Sequence, residues 1–303
     1  MPPGELVALE NINLEILVRD CLGEDGPAGY EQTIKWLARY GLIANALTCP
    51  ECQQHVASLV KYAQSPEGFI VKKIQVHLSL HQVMKLCYYW SVHPTSTMDA
   101  VMRETGVTRK DTIVDFYNFF RDLCQDWAIR KQEEGKLGGM GTVIEIDETK
   151  MYRAKYNRGR MLNRPYEWVF GMIERGTNRV RFFPVADRTA ATLLPIIADN
   201  IEAGSTIVSD GWAAYGGINN MQQQYNHQWV NHQMYFVDPN NPQIHTQGIE
   251  ATWRALKQSL KHLHGTTPDL LPTYLYQYAF RRYHSNIKIF QNILEEMRRE
   301  YPV

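Results

Sequence analysis

The sequence predicts an α/β domain at residues 142–303, preceded by a mainly helical region at residues 78–130. Three observations predict this fold class. After Gly141, short apolar runs typical of strands are interspersed with two long stretches of apolar residues at helical spacing. Before it, the spacing is helical throughout residues 78–130. The segment at 131–141, "KQEEGKLGGMG", is rich in glycine and predicts a linker between two domains.

The composition is typical of a globular protein. The chain has 303 residues, of which 44% are hydrophobic and 21% charged, and its formal net charge is zero. No apolar run approaches the roughly 18 residues of a membrane helix, and the N-terminus lacks the basic segment of a signal peptide. The five cysteines, an odd number, predict a reducing compartment without a disulfide framework. Zero net charge leaves nucleic-acid binding open, because a local basic patch is sufficient for it.

The region at residues 78–130 is predicted to contain a short helix, a glycine turn and a longer helix. The short helix, "STMDAVMRETG", opens with a Ser/Thr cap and closes at Gly106. This arrangement fits a helix-turn-helix, although any three-helix core has the same pattern. Arg109 and Lys110 open the longer helix, where a helix-turn-helix would place its groove-reading end. The apolar face of that helix is predicted to be core rather than a base-stacking surface, and it consists of Ile113, Phe116, Tyr117, Phe120, Leu123, Cys124 and Trp127.

The order of elements after residue 141 predicts the RNase H-like fold. A strand at 142–146 is followed by a hairpin at 167–186, whose turn "RGTN" suits positive φ angles. A helix then runs to Gly204, with Asp187 or Thr189 as its cap. "STIVSD" is the fourth strand, "MYFV" is a candidate fifth strand, and a long helix occupies 245–265. The order β-β-β-α-β, then a further strand and a helix, is that of an RNase H-like domain.

Three carboxylates are predicted to meet at one edge of this sheet. Asp147 ends the first strand and Asp210 ends the fourth, so both lie at the same edge if these strands are parallel neighbours. Glu250 lies beside the apolar stripe of the long helix, on one face with Lys257 and Lys261. Each acid alone is more often a turn former or a solvated side chain, but their joint placement favours a catalytic triad.

Such a triad implies bound metal. Three converging carboxylates repel one another unless cations neutralise them. Oxygen ligands with open coordination positions suit Mg²⁺ or Mn²⁺. Two such ions bridging a scissile phosphate would activate water and stabilise the leaving oxygen.

The blocks "EIDETK", "VSDGWAAY" and "HTQGIEATWRALK" resemble the catalytic blocks of DDE transposases of the Merlin superfamily and their bacterial insertion-sequence relatives with an ISXO2-like domain. The resemblance covers roughly residues 78–286. It implies an RNase H-like domain, Mg²⁺ dependence, and hydrolysis at transposon ends followed by strand transfer. By position, the implied triad is Asp147, Asp210 and Glu250. His245 falls where the family has a histidine, and it either orients a phosphate or carboxylate or is structural.

The N-terminal region at 1–77 departs from this family. Relatives usually carry a zinc ribbon with two cysteine pairs, whereas "CPEC" supplies only Cys49 and Cys52. His55, or His77 with His81, could complete a zinc site, but the spacing is long for a common motif. A remnant of a degraded ribbon is therefore favoured over bound zinc. Cys87 and Cys124 fall inside predicted helices.

A basic segment at 150–164 follows the first catalytic aspartate. It holds six Lys or Arg residues and no acid. A charge run is usually a solvated face, but this one lies beside the predicted metal site, where it could hold the phosphate backbone. The residues predicted to bind DNA are Lys150, Arg153, Lys155, Arg158, Arg160, Arg109, Lys110, Lys257 and Lys261.

The sequence thus predicts a DDE transposase acting on double-stranded DNA, both transposon ends and target. Two ends must be joined, so a homodimer or higher oligomer is expected, with no membrane partner. The protein would work in the nucleus of a eukaryotic host and otherwise in the cytoplasm. One alternative is another RNase H-like metal-dependent nuclease, such as a junction resolvase. The other is a domesticated DNA-binding protein without cleavage activity, against which the intact triad argues.

Overall fold

The structure is a computed structural model. It describes residues 21–22, 27–39, 42, 46–48, 56–58, 78–151, 168–230, 239, 241–263 and 265–301. The chain divides into two compact units, one of residues 1–123 and 287–303 and the other Cys124–Asn286. The predicted domain boundaries at 77, 130 and 141 stay predictions. Within the described residues, no helix has the length and apolar character needed to cross a membrane.

The first unit is mainly helical. Ser79 and Gln82 form a capping box at its second helix, and Thr97 caps the third. That third helix ends as predicted at Gly106, whose φ of 70° lies in the left-handed region that glycine tolerates. The described elements are α1 (Pro27–Arg39), β1 (Ala46–Thr48), β2 (Val56–Ser58), α2 (Leu80–Val92), α3 (Met98–Thr105), the first part of α4 (Lys110–Glu133) and α8 (Ile289–Glu300).

The apolar face predicted for α4 is confirmed as core. Ile113, Phe120 and Leu123 are buried, and the rings of Phe120 and Trp90 on α2 lie 5.3 Å apart. Tyr117 is only half-buried. The helix–glycine turn–helix order is present, while a helix-turn-helix that binds DNA stays a prediction.

The second unit contains the strands β3 (Leu137–Gly138), β4 (Val143–Thr149), β5 (Trp168–Glu174), β6 (Val180–Val185), β7 (Ile201–Glu202), β8 (Thr206–Asp210) and β9 (Asn226–Val230). Five of them form one sheet with the order β6-β5-β4-β8-β9. β4 pairs antiparallel with β5, β5 pairs antiparallel with β6, and β4, β8 and β9 are parallel. The short β3 and β7 pair separately, which places a strand inside the predicted linker at 131–141.

Helices lie against both faces of this sheet. They are α5 (Ala190–Asn200), the 3₁₀ helices Ala213–Asn220 and Lys261–Leu263, α6 (Gln247–Leu260) and α7 (Leu271–Tyr283). On one face, Ile144, Ile146 and Phe170 join α5 and a 3₁₀ helix in an apolar core. On the other, α6 packs on β4 and β5, and α7 packs on α6 and β6.

Two predicted elements differ from the structure. α5 has the predicted Thr189 cap but ends at Asn200, because β7 follows directly; Gly204 lies in the turn before β8. The fifth strand of the sheet is β9, whose sequence "NHQWV" is too polar to predict a strand. The candidate strand "MYFV" at 234–237 lies outside the described residues.

Candidate active site

Asp210 is the last residue of β8, as predicted. Asp147 lies inside β4, two residues before its end at Thr149, because the pairing with β5 continues past it, so the predicted strand end at Asp147 is wrong. The register pairs Glu145 of β4 with Val208 of β8, and extending it by two residues would set Asp147 opposite Asp210. The charge of Asp210 acts on the Asp147 carboxyl group, which is consistent with their proximity. Side chains opposite each other in a parallel pair point to the same face of the sheet. The condition on which a shared edge depended, that these strands are parallel neighbours, is met. The Trp212 backbone N–H donates to Oδ1 of Asp210 at 3.0 Å, which holds this carboxylate at the edge.

The Asp147 carboxyl group sits in surroundings that disfavour its charge. Burial raises its pKa to about 7, and the negative charges of Glu148 and Asp210 contribute in the same direction. A hydrogen bond from Nε1 of Trp253 to Oδ2, at 3.0 Å, acts against this shift. A bound cation would favour the ionised carboxylate, because it would offset the repulsion and the lost hydration.

The long helix α6 is aligned with β4 by three hydrogen bonds. Oε2 of Glu145 accepts from the Ile249 N–H at 2.8 Å, Asp147 accepts from Trp253, and Nζ of Lys257 donates to Oγ1 of Thr149 at 2.5 Å. Each step is four residues on the helix, about 6 Å, and two residues on the strand, about 6.6 Å. The two repeats nearly match, so α6 follows the strand that carries Asp147.

Two glycines allow this close approach. Gly171 of β5 lies opposite Asp147, and a Cβ there would come within 2.4 Å of Cη2 of Trp253. A Cβ on Gly248 would come within 2.8 Å of Oε2 of Glu145. Any larger residue at these positions would push α6 away from the sheet. The "IEIDE" and "QGIEATW" blocks therefore depend on a glycine in a third segment.

A buried ion pair holds the chain that enters α6. The Glu145 side chain is 1% exposed, and its Oε1 accepts from Nε of Arg175 at 2.9 Å. The other guanidinium nitrogens of Arg175 donate to the carbonyl oxygens of Gln243 and His245 at 2.8 and 2.9 Å. Nδ1 of His245 lies 3.8 Å from Oε1 of Glu145. The backbone of His245 is thus held in place, and the role of its imidazole stays a prediction.

Glu250 lies in the first turn of α6 and is exposed. Oγ1 of Thr246 donates to its Oε1 at 3.0 Å. In the part of the chain that the structure describes, no three Asp, Glu, His or Cys side chains are gathered closely enough to hold a metal ion. The structure therefore brings together Asp147 and Asp210, and the place of Glu250 in the triad stays a prediction.

The aspartate pair nevertheless fits a hard divalent cation. Mg²⁺ in phosphate-transfer sites is usually held by one or two carboxylates, with waters and substrate phosphates filling the other positions. Asp147 and Asp210 would supply the two carboxylates.

One acid of the site was missed by the sequence reasoning. Glu148 is buried on the opposite face from Asp147, and its Oε1 accepts a short hydrogen bond from the Tyr215 hydroxyl. Nη1 of Arg188 lies 4.0 Å from Oε2. Burial, and to a lesser degree the charge of Asp210, raise the pKa of Glu148 to about 7. The only sequence signal was its position next to Asp147 at a strand end.

The predicted DNA-binding residues lie in several places. Lys257 contacts Thr149, the exposed Lys261 begins the second 3₁₀ helix, and Nζ of Lys150 lies 4.6 Å from the ring centroid of Trp168. In the first unit, Lys110 pairs with Asp99 at 2.8 Å and Arg109 with Asp111 at 3.8 Å, all exposed. The other predicted residues of the basic segment lie outside the described residues: Arg153, Lys155, Arg158 and Arg160.

The zinc prediction is largely outside the described residues. Cys49, Cys52, His55 and His77 fall there. The thiols of Cys87 and Cys124 are buried, and burial raises the pKa of Cys87 well above its ordinary value. A thiol that resists ionisation is a poor zinc ligand, since zinc binds the thiolate.

Comparisons with known proteins match the region that carries these residues. Residues 136–283 match the family described as ISXO2-like transposase domain, a range that includes Asp147, Asp210 and Glu250. An uncharacterized transposase-like protein of Haemophilus influenzae is 27% identical, with 36% of this chain and 84% of that protein covered. Male abnormal protein mab-31 of Caenorhabditis elegans is 26% identical, with 50% of this chain and 40% of that protein covered. The chain thus spans less than half the length of the second relative.

Proposed function

We propose, from the match of residues 136–283 to the ISXO2-like transposase domain, that the protein is a DDE transposase of the Merlin superfamily. It would hydrolyse DNA at the terminal inverted repeats of a mobile element and transfer the freed strand into target DNA. The single observation that carries the proposal is the pair of carboxylates, Asp147 and Asp210, at the shared edge of two parallel strands.

The sheet order supports an RNase H-like catalytic domain. Numbered along the chain within the five-stranded sheet, the order is 3-2-1-4-5, with strands 1, 4 and 5 parallel and strands 2 and 3 forming an antiparallel hairpin. Asp210 ends strand 4, and Asp147 lies two residues before the end of strand 1, close to where the carboxyl ends of the parallel strands meet. Ligands of α/β sheets commonly bind at this edge.

The proposed cofactor is Mg²⁺ or Mn²⁺, with two ions held by Asp147, Asp210 and Glu250. Such ions supply Lewis-acid stabilisation of the charge that develops on the phosphoryl oxygens. The chain's own residues orient the site: Trp253 holds Oδ2 of Asp147, and the Trp212 N–H holds Oδ1 of Asp210.

The proposed DNA contacts surround this edge. Lys257 and Lys261 continue along α6 and the following 3₁₀ helix, and Lys150 opens the basic segment directly after β4. Lysine and arginine at such positions bind phosphates whatever the sequence. The helical first unit, with Arg109 and Lys110, would recognise the terminal repeat, and a homodimer or higher oligomer would hold the two ends together.

A second candidate is DNA binding without cleavage. The observation that favours it is that the described residues contain no group of three metal-binding side chains. A third candidate, a resolvase-like nuclease, uses the same carboxylates and differs in its products.

A cleavage and joining assay separates the three. The DNA that flanks this gene would be sequenced for inverted repeats, and these would be placed on a labelled donor DNA and incubated with the protein, a target plasmid and Mg²⁺ or Mn²⁺. We expect nicks at the repeat tips and donor strands covalently joined to the plasmid. Nicks without joined products would favour the nuclease, and binding without nicks would favour the second candidate. A donor with scrambled repeats is the matched control.

A further inference from the structure

A cluster of three tryptophans and one arginine, here called the indole surface, lies beside the carboxylates. It consists of Trp168, Arg188, Trp212 and Trp229. The Arg188 guanidinium carbon lies 3.9 Å from the ring centroid of Trp168 and 4.2 Å from that of Trp212. The guanidinium is thus sandwiched between two indoles, an arrangement that orients both rings.

Trp212 is held rigidly two residues from Asp210. Its Nε1 donates to the Arg188 carbonyl oxygen at 3.0 Å, and its backbone N–H donates to the Asp210 carboxylate at 3.0 Å. The side chain is nevertheless 40% exposed. An indole that is fixed by its edge and one face keeps its outer part available to a ligand.

A second exposed indole, on the neighbouring strand β9, lies against the residue that follows Asp210. The Trp229 side chain is 55% exposed, and a Cβ on Gly211 would lie 3.3 Å from its Cε3 atom. Its ring therefore rests on the residue between Asp210 and Trp212. Neither of these exposed tryptophans is part of the buried core, and exposed apolar clusters commonly mark binding sites.

Two cations lie beside these rings, and one of them, Arg188, also lies 4.0 Å from Oε2 of Glu148. Nζ of Lys150 lies 4.6 Å from the Trp168 centroid, and Arg188 lies within the stack. Cations beside exposed aromatic faces are the combination with which proteins bind single-stranded nucleic acid, where bases stack on the rings and cations meet the phosphates.

We propose that the indole surface stacks an unpaired nucleobase of the DNA strand that enters the carboxylate edge. The inference rests on the proposed function, because it places the DNA strand next to the scissile phosphate against the indole surface. The base must be unpaired, because the faces of paired bases are covered by their neighbours in the duplex. Trp212 and Trp229 are the stacking residues, and Arg188 is a positioning residue.

The test measures base-dependent binding without any cleavage. Fluorescence anisotropy in EDTA would compare a labelled thymidine oligonucleotide with an abasic oligonucleotide of the same length and phosphate count. We expect the protein to bind the thymidine strand about tenfold more tightly. The double variant Trp212→Ala/Trp229→Ala should lose this preference while its affinity for the abasic strand stays unchanged.

Two further variants keep the test decisive. Trp212→Phe should retain most of the preference, because a phenyl ring still stacks. Met140→Ala, which removes a side chain that is 92% exposed just before β4, should change neither affinity. Equal loss of both affinities in the double variant, or no preference in the parent protein, would overturn the inference. Cleavage activity plays no part in this readout, so failure of the proposed function would be seen separately, in the joining assay.

Discussion

The Asp147 carboxyl group depends on residues from two other segments. Gly171 leaves the space that the Trp253 ring occupies, and the ring's N–H then reaches Oδ2 of Asp147. The sequence predicted Asp147 at a strand end and Trp253 in an apolar stripe. It did not predict their hydrogen bond, because that contact depends on the register that sets Gly171 opposite Asp147.

Trp253→Phe should weaken metal binding more than DNA binding. The variant keeps an aromatic ring but loses the donor to Asp147, and loss of such an outer partner typically costs about 10–100-fold in metal affinity or activity. We expect the Mg²⁺ concentration for half-maximal cleavage to rise about tenfold, with DNA affinity in EDTA unchanged. Cleavage titrations with Mg²⁺ and anisotropy measure the two quantities.

Phe182→Leu is the control for lost packing. Its ring centroid lies 5.3 Å from that of Trp253, and Phe182 is likewise buried. We expect Phe182→Leu to lower the stability of the protein about as much as Trp253→Phe does, without raising the Mg²⁺ concentration needed for half-maximal cleavage. If both variants shifted it equally, Trp253 would act through packing alone.

At the scale of elements, α6 and β4 form the part of the site that the sequence predicted best. Of the apolar stripe predicted for this helix, Ile249, Trp253 and Leu256 are buried, whereas Leu260 and Leu263 at its end are half-buried. β9 was missed because "NHQWV" lacks apolar alternation and its strand identity comes from pairing with β8. Propensity is a weak guide where pairing decides the conformation.

The end of α7 contains a histidine whose protonation should destabilise the fold. His284 packs against the rings of Phe280 and Tyr283, with centroids 4.7 and 5.1 Å away. Burial, and then the charge of Lys131, lower its pKa from 6.5 to about 4. Between these two pH values the unfolded chain binds a proton that the folded protein does not, so stability falls as the pH drops through this window.

Denaturant unfolding of the parent protein and His284→Phe at several pH values measures this effect. The variant keeps a ring in the aromatic cluster and cannot titrate. We expect the parent to lose about 2 kcal/mol more than the variant between neutral pH and pH near 4. Parallel loss in the two proteins would show that His284 contributes nothing to the pH dependence.

At the scale of the whole molecule, the site is assembled within residues 124–286, and its acids come from distant parts of the sequence. The parallel pairing of β4 with β8 brings Asp147 to Asp210, 63 positions later in the chain. Element order predicted this meeting. The indole surface was not predicted, because Trp168, Arg188 and Trp212 follow no common spacing and meet only through the sheet edge.

The central claim is that Asp147 and Asp210 carry metal-dependent DNA cleavage, and Asp210→Asn tests it most directly. The change keeps the size and hydrogen-bonding capacity of the side chain but removes the charge that would hold the cation. Cleavage and gel-shift assays on the same labelled terminal-repeat DNA, with Mg²⁺ present, should show cleavage reduced by orders of magnitude and binding nearly intact. Asp199→Asn, at an exposed position on α5, should leave both unchanged. Cleavage by Asp210→Asn at near the parent rate would contradict the account.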